Sequence, residues 1–208
     1  MKSLYLRAGL AVLCGATLAG CGGGSGSLQL GGTIVGLSKP GLVLKNGAST
    51  IAVTADTGYT TFTFPDLVAN DASFDIEYQA QPDPKLATCD TIIQNNKGKA
   101  NIYTVRQAIV TCHSTTYSLG GTVRGLVGKG LVLANGSQTV PVSAPATAGD
   151  PVSFTFPTQV PNGSNYGVTV LAQPTDDNGN PTVKCVVNSP AAVMPAAPVS
   201  TLDVSCSK

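Results

Sequence analysis

From residue 29 onward the chain alternates. Phe74, Ile76 and Tyr78 are apolar against Asp75, Glu77 and Gln79, and far downstream Tyr166, Val168 and Val170 stand against Gly167 and Thr169. Ile51 and Val53, Val140 and Val142, Phe62 and Phe64, and Phe154 and Phe156 continue the rhythm. A period of two puts every second side chain on one face, so these segments predict strands with one buried surface. No window after Cys21 carries a helical period. Asn46-Gly47 and Asn135-Gly136 interrupt apolar runs and predict type I′ hairpin turns, because both residue types tolerate a positive φ.

The pattern is also copied. Leu30-Gly31-Gly32-Thr33 returns as Leu119-Gly120-Gly121-Thr122, Gly41-Leu42-Val43-Leu44 as Gly130-Leu131-Val132-Leu133, and Phe62-Thr63-Phe64-Pro65 as Phe154-Thr155-Phe156-Pro157. Gln81-Pro82, Cys89 and Cys112 return as Gln173-Pro174, Cys185 and Cys206. The register drifts by a few residues between blocks, as loop insertions allow. Two tandem modules of roughly 85 to 90 residues follow, over 29–113 and 118–208. The junction holds neither Pro nor Gly, so limited motion between modules is expected. About seven short strands per module, with turn signals every 8 to 12 residues, predict an all-β fold of two Ig-like β-sandwiches.

The cysteines fit this scheme. Ala108, Val110 and Cys112 share one strand face, as do Leu202, Val204 and Cys206. Each copy carries its own pair, so the repeat favours Cys89–Cys112 and Cys185–Cys206 over the two cross-module connectivities. A loop of this length contributes roughly 3 kcal/mol in the chain-entropy model, which matters in modules with small cores. A metal site would want a nearby second Cys or a His; His113 is the single histidine, and Ser207 stands in its place in the copy.

The N-terminus is different in kind. Lys2 and Arg7 precede an apolar stretch, Ala8 to Ala19, too short to span a bilayer comfortably. It closes on Leu18-Ala19-Gly20-Cys21, and Gly22 to Ser27 follow as a glycine-serine tether with a random-coil reach of roughly 13 Å. Leu18-Ala19-Gly20-Cys21 resembles the lipobox of bacterial lipoproteins. That resemblance implies a signal peptide over 1–20, a diacylglyceryl thioether and an N-acyl chain (palmitate) on Cys21, and a lipidated tether over 21–28. With Gly22 rather than aspartate after the cysteine, it also implies the outer membrane where the cell has one. Cys14 follows the bulky Leu13 and reads as filler of the apolar stretch.

The modules resemble the prealbumin-like or Cna-B-type sandwich repeats of bacterial surface proteins. The resemblance covers 29–208 and rests on the glycine-rich first strand, the Phe-x-Phe strand, the Asn162-Gly163 turn and Tyr166-x-Val168-x-Val170. They are similar as well to uncharacterised tandem repeats of predicted bacterial lipoproteins. Some Cna-B-type domains form a Lys–Asn isopeptide bond beside a buried acid. Here Glu77, the sole glutamate, alternates toward solvent, and Lys45 and Glu77 become Ala134 and Thr169 in the copy, so that bond is not carried over.

Composition narrows the function. Of the chain's 12 Lys and Arg, the 10 left without Lys2 and Arg7 nearly balance its 11 Asp and Glu. A near-neutral body argues against nucleic-acid or polybasic membrane partners. A hydrolytic triad needs a base beside its nucleophile, and His113 stands beside a half-cystine. Asp176-Asp177 sit in Asp176-Asp177-Asn178-Gly179-Asn180-Pro181, a turn composition that lacks the alternating acids of an EF-hand. No enzyme, cofactor or metal is expected. Tyr59, Tyr103 and Tyr117 are the candidate binding surface, since exposed tyrosines stack on sugars or anchor protein contacts. Two readings stand: a lipid-anchored envelope protein with a structural or protein-interaction role, or a carbohydrate- or cation-dependent adhesion module.

Overall fold

The computed structural model describes residues 26–55, 59–147 and 149–208. The expected signal peptide, Cys21 and the start of the expected tether lie outside them. The alternating segments form strands, and no helix occurs among the described residues. The first copy contributes β1 (Ser27–Val35), β2 (Val43–Asn46), β3 (Ser49–Ala52), β4 (Tyr59–Ala69), β5 (Ser73–Ala80), β6 (Ala87–Cys89), β7 (Lys97–Lys99) and β8 (Ala108–Ser114). The second contributes β9 (Thr116–Tyr117), β10 (Leu119–Arg124), β11 (Leu131–Asn135), β12 (Gln138–Val142) and β13 (Val152–Thr155). It continues with β14 (Val160–Pro161), β15 (Asn165–Ala172), β16 (Lys184–Asn188), β17 (Ala191–Val193) and β18 (Val199–Ser207).

Each copy is a sandwich of two four-stranded sheets, ordered β4-β1-β8-β6 over β3-β2-β5-β7 and β13-β10-β18-β16 over β12-β11-β15-β17. The first and last strands pair in parallel, β1 with β8 and β10 with β18, and every other ladder is antiparallel. The short β9–β14 ladder, with Val160 opposite Tyr117, repeats the Leu28–Val68 pairing of the long β1 and β4. This is an all-β chain of two tandem Ig-like, prealbumin-like sandwiches.

Inward residues of both sheets meet in two separate cores. One holds Leu30, Ile34, Leu37, Leu42, Leu44 and Ile76 around Phe64. The other holds Leu119, Val123, Leu126, Leu131 and Leu133 around Phe156. Each fully buried aliphatic contributes about 1.5–3 kcal/mol. The Phe-x-Phe motifs pack edge to face with centroids 5.9 Å apart in both copies. The Gly-Gly pairs are steric: a Cβ on Gly31 would strike the Phe62 carbonyl, and one on Gly121 the Leu202 carbonyl. The first strand is pressed between its neighbours too closely for a side chain.

The cysteines pair within each copy, Cys89–Cys112 and Cys185–Cys206. In both, the half-cystines stand directly opposite on an edge strand and its central neighbour.

The hairpins depart from the expected turn. The central residues are Gly47-Ala48 and Gly136-Ser137, with Asn46 opposite Ser49 and Asn135 opposite Gln138 as closing pairs. Gly47 and Gly136 have φ of 60° and 58°, while Ala48 and Ser137 are not left-handed. Positive φ at the first central position alone is the type II′ requirement, not type I′. The asparagines serve elsewhere: Asn46 Oδ1 accepts from the Asp75 amide and Asn135 Oδ1 from the Gly167 amide, both 2.9 Å.

The two copies stack head to tail with one residue, Thr115, between β8 and β9. Its amide donates to the Leu86 carbonyl and its Oγ1 to the Pro84 carbonyl, while its own carbonyl accepts from the Asn162 amide. The Tyr117 hydroxyl donates to the Lys85 carbonyl at 2.7 Å.

Candidate functional site

Strand direction fixes what each end of the first sandwich carries. β1 begins at one end, together with the turn from β4 to β5 and the connection from β7 to β8. The Asn70 amide donates to the Gly26 carbonyl, the Asp71 amide to Ala100, and the Ala100 amide to Ala72. Gly26, within the expected tether, is thereby tied to this end. The opposite end, with Ser38, Lys39 and the Asp83–Leu86 turn, receives the second copy. A Cβ on Gly163 would lie 3.0 Å from the Lys39 ammonium.

The expected binding tyrosines do not converge. Tyr103 is 75% exposed in the Asn101–Arg106 turn at the tether end. Tyr117 lies at the other end of the first sandwich, half-buried, packed against the second core and committed to Lys85. Tyr59 pairs with Val35 through its backbone; its side chain lies outside the described residues.

The candidate acid–base groups are held in local structure. His113 Nε2 is 3.4 Å from Asp90 Oδ1, both largely exposed. Asp176 Oδ1 accepts from the amides of Asn178 and Asn180, and its Oδ2 accepts from Asn180 Nδ2. The Asn180 hydrogen bonds are the main reason that carboxyl sits below the usual range. Asp177 is lowered by the hydrogen bond and charge of Lys129, which lies 2.6 Å away. Lys45 and Glu77 are strand partners in an exposed ion pair at 2.9 Å. Among the described residues, no cluster of three or more His, Cys, Asp and Glu is placed to hold a metal.

A shallow groove of about 720 Å³ lies beside β7, lined by Asn46, Ser73, Phe74, Asp75, Lys97 and Lys99. Its edge strand is three residues long, with no apolar alternation to betray it in sequence. Gln81 and Gln173 also escaped the sequence reading as structural residues. The Cys89 amide donates to Gln81 Oε1 at 3.3 Å. In the copy, Gln173 both accepts from the Cys185 amide and donates to its carbonyl, at 2.8 and 2.9 Å. Each glutamine caps the open backbone edge of the disulfide strand. The repeated Gln-Pro was the available signal.

Tyr78 points from β5 toward Asp90, whose carbonyl accepts its hydroxyl at 2.8 Å. Burial, and secondarily the Asp90 charge, push the phenol up to about 12.

No protein-family model matches the chain, and no curated protein matches it in sequence. Among solved structures it is similar to the pilus adhesin SpaC from Lactobacillus rhamnosus GG. That match has 11% identity over 85% of this chain and 31% of that one, at a TM-score of 0.34. It is similar also to a C-terminal fragment of that adhesin, at 10% identity over 85% of this chain and 96% of the fragment, with a TM-score of 0.31. The chain therefore spans about a third of the whole adhesin's length. Likeness at this level carries no argument about activity, and the sandwich class rests on the strand order itself.

Proposed function

We propose that the chain is a lipid-anchored envelope protein, held through acyl chains on Cys21, whose two sandwiches form a non-enzymatic spacer or interaction stalk. The observation that carries this reading is the head-to-tail junction. A single linking residue is bonded on one side to the Asp83–Leu86 turn and on the other to Asn162. Such a joint holds the second module away from the first rather than letting it swing. The two disulfides fit an oxidising compartment, as export by a lipobox requires. Each acyl methylene adds about 0.8 kcal/mol of membrane affinity, so several chains anchor stably. In this reading the distal module presents its loops to an envelope or extracellular protein.

Fractionation tests the anchor. The wild-type chain should sediment with membranes and Cys21→Ser should not; sedimentation of the variant contradicts lipid attachment there. Crosslinking in the intact envelope tests the interaction role, with a distinct protein captured through the second module as the supporting result. Glycan binding that requires calcium would instead favour the adhesion-module reading.

A further inference from the structure

Both copies have the same end turned toward what precedes them, and the two ends differ in one respect. In the second copy that end meets the first sandwich. In the first copy that end holds Gly26, whose carbonyl accepts from the Asn70 amide, and five residue steps separate Cys21 from Gly26, at most roughly 18 Å when fully extended.

The first copy's free end carries large apolar side chains at three positions where the second copy has small or polar ones, while the second copy's exposed Val193 stands in the place of Lys99. Ile102 and Tyr103 are 69% and 75% exposed; at the corresponding places the second copy has Ala196 and Ala197. Leu67, 58% exposed, corresponds to Gln159, which accepts a hydrogen bond from Thr116. One strand partner links Leu67 to the turn that carries Ile102 and Tyr103. Leu67 stands opposite Gln29 in the β1–β4 ladder, and Gln29 Oε1 accepts from Arg106, just beyond Ile102-Tyr103 in the same turn. Of the large apolar side chains exposed on the first module among the described residues, only Ile92 lies elsewhere. The basic residues follow the same division: Arg106 becomes Ser200, and Lys97 and Lys99 become Ala191 and Val193.

Large exposed apolar groups gathered on one end mark a contact surface. The short chain to Cys21 says what that surface meets. We propose that the tether end of the first sandwich rests on the lipid bilayer, with Leu67, Ile102 and Tyr103 entering the headgroup layer. This rests on the lipid-anchor reading of Cys21. Aromatic rings with a polar tip favour that depth, and Arg106, Lys97 and Lys99 reach phosphate from its rim. Asp71 and Asp75 at the same end offset the lysines, so apolar insertion rather than net charge carries the contact. The stalk then stands end-on to the membrane instead of swinging from its tether.

The chain contains no tryptophan, so an introduced indole reports alone. The lipidated full chain carrying Tyr103→Trp is reconstituted in vesicles of phosphatidylethanolamine and phosphatidylglycerol, with and without brominated phosphatidylcholine. The Tyr103 side chain is exposed and replaceable; Leu171→Trp, at a site 64% exposed in the second module, serves as control. The expected result is a blue-shifted Tyr103→Trp emission that loses most of its intensity to brominated lipid, with the Leu171→Trp emission unchanged. Co-sedimentation without quenching at position 103 overturns the end-on contact while leaving the anchor intact. Quenching at both positions overturns it in favour of a molecule lying flat. Failure to sediment removes the anchor and the contact with it.

Discussion

One turn occurs twice in this chain with different residues at its critical position, which makes a sharp test of the repeat. Ala69-Asn70-Asp71-Ala72 and Pro161-Asn162-Gly163-Ser164 each close with a hydrogen bond from the fourth amide to the first carbonyl at 3.0 Å. The third residue is left-handed in both, with φ of 63° at Asp71 and 80° at Gly163. Asp71→Gly removes the Cβ penalty, which is about 1–2 kcal/mol for an ordinary residue and less for aspartate. Against this stand about 0.4–1 kcal/mol for the greater freedom of glycine in the unfolded chain and the exposed Asn70–Asp71 side-chain hydrogen bond. The net expectation is stabilisation of the first module by roughly 0.5 kcal/mol. Asp71→Ala keeps the Cβ and loses the hydrogen bond, so it should destabilise by about as much. Urea unfolding, followed by exchange of the Ile76 and Val110 amides, reads the first module alone, and the denaturant slope should not change. If Asp71→Gly destabilises as much as Asp71→Ala, the left-handed position does not govern this turn.

Three other substitutions probe separate levels of the structure. Phe156→Ala removes a nearly buried ring from the second core and should cost about 3–5 kcal/mol; calorimetry should show that transition falling while the first holds. Gln173→Ala opens two hydrogen bonds to the Cys185 backbone and should cost about 1–2 kcal/mol, whereas Gln81→Ala, with one longer bond, should cost less in the same assay. Tyr78 binds its proton more tightly folded than unfolded. Its contribution is therefore complete below about pH 10 and is lost as pH rises toward 12. Alkaline unfolding of the first module should lessen in Tyr78→Phe relative to wild type, measured by circular dichroism.

Strand alternation, the repeat and the cysteine pairing were legible in sequence, because inward Phe74, Ile76 and Tyr166 must face a core whatever the topology. The Asn-Gly hairpins were misread because the sequence signal does not say which residue closes the ladder. One step of register turned a supposed central Asn46 into a strand residue bonded to Asp75. The edge strands β7 and β17 were invisible: Lys-Gly-Lys and Ala-Ala-Val have no buried face to alternate with. Strand parity singles out Tyr59, and the lack of an aromatic counterpart in the copy singles out Tyr103 and Tyr117, yet strand direction sends Tyr103 to the tether end and Tyr117 into the junction. The apolar group around Ile102 was unreadable for a related reason. Its meaning comes from comparing equivalent ends of two stacked modules, and sequence spacing does not carry that comparison.

Lipidation of Cys21 is tested most directly by intact-mass spectrometry of the protein extracted from the envelope. The expected mass is that of a chain starting at Cys21, with a diacylglyceryl group, one further acyl chain and two disulfides. An unmodified chain, or one starting at any other residue, would contradict the anchor.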